Sequence, residues 1–176
     1  MSKTNKNKVY VLDTSAILSG KPLNFADAEM ITTFSVSSEL KPGGKDYQNF
    51  MYLKDKGLKF QIPSKESIDF VKKTSKKTGD AGRISQVDLE ILALAWDLQK
   101  NNLNIVILSD DYSIQNLASE LKIKFESISQ KGITKKLKWG VRCTGCNKKF
   151  KDNISVCPIC GSDTKKIVIS SEEIKK

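Results

Sequence analysis

Histidine is absent from this 176-residue chain. That removes Ser-His-Asp and Cys-His nucleophile pairs, imidazole general bases and every histidine-ligated metal site. Catalysis must therefore rest on carboxylates, lysines, hydroxyls or a metal ion. Long apolar runs are missing too, and nothing approaches the roughly 20 residues of a membrane span. The basic opening MSKTNKNK leads into an apolar stretch that stops at Asp13, so the long apolar region of a signal peptide is lacking. The expectation is a cytoplasmic protein with no membrane partner. No G-x-G-x-x-G follows the first apolar run, which argues against a dinucleotide enzyme. Acids are outnumbered, 20 Asp and Glu against 30 Lys and Arg, and the net charge of +10 favours polyanionic partners such as RNA.

What is present begins with VYVLDTSAIL, residues 9–18. Val-Tyr-Val-Leu reads as a strand buried on both faces, as in a parallel sheet covered by helices. Its C-terminal edge carries Asp13, where loops diverge and α/β proteins collect ligands. Further strands are expected at 30–36, 58–62, 104–109 and 123–128, and helices at 15–28, 38–55, 64–76, 86–100 and 112–121. The alternation implies an α/β fold with a mostly parallel sheet flanked by helices. VDLEILALAWDLQK is apolar nearly all round and reads as a central buried helix. The second half of KKTSKKTGDAGR (72–83) reads as an exposed loop. The expected organisation is a basic arm at 1–8, an α/β domain at 9–130, a basic linker at 131–141, a cysteine module at 142–169 and a charged tail at 170–176.

All four cysteines fall in one pattern, Cys143-x2-Cys146-x10-Cys157-x2-Cys160. Two paired knuckles suit tetrahedral Zn²⁺, and four thiolates close the site, so one structural zinc in a small ribbon is expected. Asn147 and Gly161 suit the left-handed backbone that such knuckles need. A disulfide framework is the rival, disfavoured in a chain without secretory signals. Between Lys131 and Asp152 there are eight Lys or Arg and a single acid. Lys135, Lys136, Lys138, Arg142, Lys148 and Lys149, with Trp139 among them, are candidate RNA contacts, cations meeting phosphates and the ring stacking on an unpaired base. The plainer alternative packs Trp139 on the zinc knuckle and leaves the lysines to solvate a face.

Asp13 has acidic company. Glu39 follows the second strand, at what reads as a helix start, Asp88 opens the buried helix, and Asp110 and Asp111 follow the fourth strand. Gathered in one crevice they need a cation, and oxygen ligands favour Mg²⁺ or Mn²⁺. Taken singly most have a duller reading: Ser85-x-x-Asp88 as a capping box, Glu39 as a dipole partner, Asp110 or Asp111 as an N-cap. Asp13 has no such explanation from sequence.

LDTSAIL, SSEL, TGDAGRISQVDLEILALA and LSDDYSIQN, in that order and spacing, resemble a PIN-domain ribonuclease. With WGVRCTGC and CPICGS behind them, residues 9–169 resemble the Nob-type endonucleases of small-ribosomal-subunit maturation in their compact archaeal form. The resemblance implies metal-dependent hydrolysis of RNA that leaves a 5′-phosphate and a 3′-hydroxyl. It places the catalytic acids on Asp13, Glu39, Asp88 and Asp111, with Asp110 the ambiguous neighbour. Asp13, Asp88 and Asp111 would hold one or two Mn²⁺ or Mg²⁺, and Thr14, Ser15 and Ser109 would fix the carboxylates. Lys72, Lys73, Lys76, Lys77 and Arg83 join the basic segment as RNA-contact candidates. The implied partners are precursor small-subunit ribosomal RNA, the pre-ribosomal small subunit and an RNA-binding assembly-factor protein. A non-catalytic RNA-binding assembly factor and a toxin-type PIN nuclease are the alternatives.

Overall fold

The computed structural model describes residues 8–19, 28–101, 104–128 and 133–174. Five short strands, β1 (Lys8–Leu12), β2 (Ala28–Thr32), β3 (Lys59–Phe60), β4 (Asn104–Leu108) and β5 (Lys124–Glu126), form one sheet in the order β3-β2-β1-β4-β5. Every pairing in it is parallel. β1 and β4 are the central pair, so the strand order turns back on either side of them and a crevice opens past their C-terminal ends. Six helices complete this unit: α1 (Thr14–Leu18), α2 (Phe34–Glu39), α3 (Lys45–Asp55), α4 (Lys65–Thr78), α5 (Gln86–Lys100) and α6 (Tyr112–Glu120).

The expected α/β fold is present, and α5 is its buried axis, with Leu89, Ile91, Leu92, Ala93, Leu94, Ala95 and Leu98 all inside. α4 lies against it. Its N-terminus is pinned where Asp97 of α5 accepts bonds from Ser64 N (2.6 Å), Ser64 Oγ (2.9 Å) and Ser67 Oγ (2.5 Å). Burial works against the Asp97 carboxylate, but the bonds from Ser67 and Ser64 outweigh it and hold Asp97 below its usual range. Among the described residues no helix is long and apolar enough to cross a membrane.

Several elements differ from the sequence reading. The helix expected at 15–28 is described only as α1, and 20–27 lie outside the described residues. The strand expected at 30–36 ends at Thr32, whose Oγ1 donates to the Leu12 carbonyl (2.8 Å); Phe34 already begins α2. The single helix expected at 38–55 is two, parted by Lys41-Pro42-Gly43-Gly44, with Gly43 left-handed (φ 87°). Proline cannot continue the ladder and glycine supplies the turn. The loop after α4 is not wholly exposed, because Asp80 is buried.

The remaining chain forms a second sheet of β6 (Lys135–Cys143), β7 (Lys149–Phe150) and β8 (Thr164–Glu173), antiparallel in the order β7-β6-β8. Most of the segment read as a linker is therefore strand, and β8 runs into the segment read as a tail. Leu137, Trp139 and Val141 alternate with Lys138 and Gly140, a two-residue period that the dense lysines obscured. Residues 129–132, the end of the expected α/β domain and the start of that linker, and 1–7 of the basic arm lie outside the described residues.

Candidate active site

Asp13 follows β1 directly, and only 4 % of it is exposed. Its Oδ2 accepts from Ser15 Oγ (2.8 Å), Ser15 N (3.4 Å) and Ser109 Oγ (2.8 Å). The carboxylate thus N-caps α1, a structural task that the sequence reading had not given it. Each serine oxygen in turn accepts a backbone N–H from the loop after β4: Asp110 N to Ser15 Oγ (3.0 Å) and Asp111 N to Ser109 Oγ (3.0 Å). With those lone pairs used by N–H donors, both hydroxyl protons point at Asp13. The ends of β1 and β4 are in this way knitted around one carboxylate.

Burial raises the Asp13 carboxyl above its ordinary value; the bonds from Ser15, Ser109 and the Thr14 backbone oppose the rise, and the charge of Asp88 adds to it. Asp88 forms the expected capping box, its Oδ2 accepting from Ser85 N (2.8 Å) while its own N–H donates to Ser85 Oγ (3.1 Å). Glu39 accepts from Thr14 Oγ1 (2.6 Å) and is exposed. It ends α2 and does not start a helix, so the dipole reading fails, since an acid at a helix C-terminus faces partial negative charge.

Asp111 is exposed and caps α6, its Oδ1 accepting from Ser113 N (2.5 Å). Asp110 is half-buried and its Oδ1 accepts from Ile128 N (2.8 Å), which anchors the chain leaving β5. Both caps, at Asp88 and Asp111, engage one carboxylate oxygen. Among the described residues, however, the acids do not close to within 4.8 Å of one another as a set of three. The four cysteines do. Cys143 and Cys160 Sγ are 3.3 Å apart, Cys146 and Cys157 Sγ 3.7 Å, and all four are free thiols. Four thiolates at 2.3 Å from a tetrahedral ion stand about 3.8 Å apart, so the cluster fits zinc.

Gly145 N and Cys146 N donate to Cys143 Sγ, both at 3.3 Å, and Asn147 (φ 61°) and Gly161 (φ 72°) take the left-handed positions expected of them. Without an ion the thiols divide: hydrogen bonds from Ser162 bring Cys160 down to about 6, whereas Cys146, against a bond from the Lys148 backbone, is pushed up to about 11 by burial and the neighbouring cysteines. A thiolate at neutral pH is the form a metal requires.

The RNA-contact candidates divide. Lys72, Lys73, Lys76 and Lys77 are exposed on α4, as are Lys135, Lys138, Lys148 and Lys149 on the second sheet and its turn. Lys136 is engaged with Glu120 of α6. Arg142 is half-buried with its Nε unpartnered. Trp139 packs on the loop after α4 instead of the cysteine knuckle: the Arg83 guanidinium lies over its ring (4.1 Å to the centroid). A Cβ on Gly79 (φ 80°) would stand 2.8 Å from the Trp139 carbonyl carbon.

The residues that join the two sheets were not found from sequence. Asn116 Oδ1 accepts from Leu137 N (2.6 Å) and its Nδ2 donates to Leu137 O (2.9 Å), so a side-chain amide pairs with β6 as a strand would. The same Nδ2 reaches Asp80 Oδ2 (3.0 Å), which Thr78 Oγ1 also serves (2.6 Å). Next to it, Gln115 is fully buried, donating to Ser109 O (2.7 Å) and accepting from Ile133 N (2.8 Å). Two adjacent amides between the apolar Ile114 and Leu117, in SIQNLA, were the available signal.

The sheet is parallel in the order 3-2-1-4-5 with acids past β1 and β4, and residues 10–98 match the family described as "PIN domain of ribonuclease". The chain belongs to the PIN-domain ribonucleases. It is 35 % identical over 156 residues to Endoribonuclease Nob1 of Archaeoglobus fulgidus, covering 89 % of each chain. It is 36 % identical over 171 residues to Endoribonuclease Nob1 of Methanocaldococcus jannaschii, covering 96 % of this chain and 82 % of that one. Ribonuclease VapC1 of Thermoplasma acidophilum is 39 % identical over 158 residues, 90 % and 77 % of the two chains. These matches are too long to be confined to the PIN segment, so they take in part of the cysteine-bearing module.

Proposed function

We propose that this endoribonuclease matures the 3′ end of small-subunit ribosomal RNA, acting on the pre-ribosomal small subunit in the cytoplasm beside an RNA-binding assembly factor. The observation that carries the reading is Asp13: a carboxylate buried at the turning point of the sheet, positioned by two serines that the loop after β4 orients. Names of the Nob1 relatives support an endoribonuclease.

An all-oxygen donor set in which buried Asp13 feels the charge of half-buried Asp88 fits Mg²⁺ or Mn²⁺. Asp13, Asp88 and Asp111 would hold one or two such ions, Asp88 and Asp111 each through the oxygen their caps leave unused. Bound there, the metal would supply a water acidic enough to attack a phosphodiester and would offset charge on the leaving oxygen. Thr14 holds Glu39 toward the same crevice, where its carboxylate can take a proton from the attacking water. Ser15 and Ser109 keep Asp13 from turning away when no cation is present. Asp110, whose Oδ1 is bound to Ile128 N, shapes the loop, which supports Asp111 as the fourth acid. One zinc in the four-cysteine site would hold the second sheet together.

The test is a labelled RNA spanning the 3′ end of the small-subunit precursor, offered single-stranded and annealed to its complement, with Mn²⁺ or Mg²⁺. We expect one cut in the single strand, 5′-phosphate and 3′-hydroxyl ends, and none with Asp13→Asn. Preference for the duplex, or undiminished cutting by Asp13→Asn, refutes the proposal.

A further inference from the structure

Between the PIN unit and β6 lies a cavity of about 580 Å³, lined among others by Asp80, Arg83, Tyr112, Ser113, Lys135 and Trp139. Its size falls within the roughly 300–1,000 Å³ that encloses a small organic ligand. We propose that it receives one unpaired nucleotide of the RNA, close to the scissile phosphate, and so selects where the strand is cut.

Four observations carry this. The cavity adjoins the acidic crevice: Ser113, in its wall, is the residue whose N–H binds Asp111 Oδ1. Its wall offers aromatic surface in Tyr112, half exposed (52 %) on the helix that Asp111 caps, and in Trp139 of β6, one face of which the Arg83 guanidinium covers. Base stacking on such rings is tolerant of sequence, because every base has a π-face. Arg83 and Lys135 supply cations at the same walls for the flanking phosphates. Finally, Asp80 Oδ1 is buried there without a hydrogen-bond partner, while Oδ2 is served by Thr78 and Asn116. An orphaned buried acceptor in a cavity wall calls for a donor from outside the chain, and every nucleobase that can pair carries one on its Watson–Crick edge.

The cavity exists only because the two sheets are docked. The PIN unit supplies Tyr112 and Arg83, and β6 supplies Trp139 and Lys135. Cleavage and site choice are in this way shared between the two parts of the chain, and neither part alone encloses the nucleotide.

The inference rests on the RNA-cleaving reading, so the test separates binding from cutting. A single-stranded RNA carrying a mapped cut site is synthesised as a series, each member lacking one base but keeping its ribose and phosphate. Affinities are measured on the full-length Asp13→Asn protein, and cleavage rates on the protein with native Asp13. One abasic position beside the cut should weaken binding about tenfold or more. That penalty should vanish in Asp13→Asn/Tyr112→Ala, which has already lost the stack, and persist in Asp13→Asn/Tyr112→Phe, which keeps the ring. Loss of the positional effect with the ring removed, and its retention with the ring kept, is not an outcome of a merely structural Tyr112. A flat abasic series, or a penalty unchanged by Tyr112→Ala, overturns the inference while leaving the nuclease reading intact if the native protein still cuts. Absence of cutting at any position would instead refute the nuclease reading.

Discussion

Asn116→Ala tests what holds the ribbon to the nuclease. The substitution removes three hydrogen bonds, two to the Leu137 backbone and one to Asp80 Oδ2. At roughly 1 kcal/mol net for each, the loss is about 3 kcal/mol. Water can reach the half-buried Leu137 and repay part of it, while Asp80 keeps only Thr78 on that oxygen and adds to the cost. The two effects oppose, so about 3 kcal/mol stands as the central expectation. Asn116→Asp sharpens the test: it retains an acceptor for Leu137 N but loses both donations and sets a second carboxylate beside Asp80, so it should be worse than alanine below saturating acid. The chain has two tryptophans, and Trp96 stacks on Phe70 within the PIN unit (4.7 Å between centroids). A Trp96→Phe background therefore leaves Trp139, at the joint, as the fluorescence reporter. Denaturant titrations of that background, with and without the Asn116 changes, give the difference directly. A shift below about 0.5 kcal/mol, the range of ordinary surface substitutions, would refute the assignment of Asn116 as the fastening.

Four other outcomes are expected. Burial raises the Asp80 carboxyl, more than the bonds from Thr78 and Asn116 and the charge of Arg83 lower it, so the folded chain holds that proton more tightly than the unfolded one. Its contribution to stability therefore declines as pH climbs from the ordinary carboxylate range through the raised value, and Asp80→Asn should flatten that slope in a pH series of melting temperatures. Gly79→Ala forces a side chain into a left-handed position against the Trp139 carbonyl and should cost about 1–3 kcal/mol in chemical denaturation; an unchanged midpoint would contradict the contact. Asp111→Asn should reduce cleavage more than Asp110→Asn, whereas Asp110→Asn should lower thermal stability more; equal loss of cleavage would mean the fourth acid is shared. Native mass spectrometry should find one zinc per chain, and stripping it should release Trp139 fluorescence while the PIN unit keeps its helical circular dichroism.

The parts of the fold set by strong periodicity were legible in the sequence. α5 occupies the expected 86–100, and β1 and β4 lie where the uninterrupted apolar runs VYVL and IVIL stand. The parts set by tertiary pairing were not. β6 hid its alternation among lysines, and a partner strand more than twenty residues later, β8, was needed to make it a strand. At the site, the serines beside Asp13 were readable because they adjoin the acids in the chain. Asn116 and Asp80 were not, because the need for a buried amide or acid arises only once Leu137 is brought to α6. The capping readings of Asp88 and Asp111 proved true without displacing the functional ones, since a cap occupies one carboxylate oxygen and leaves another.

α6 begins at the acid that caps it and holds the ribbon one turn later, at Asn116. Nine residues of helix are about 14 Å of nearly incompressible rod. On the proposed function the grip and the blade share a single rigid jaw, and the offset between an RNA feature seized by the ribbon and the bond that is severed becomes a fixed length of the molecule. Such a caliper measures from a landmark and does not read a sequence, so moving the landmark along the RNA should move the cut by the same number of nucleotides.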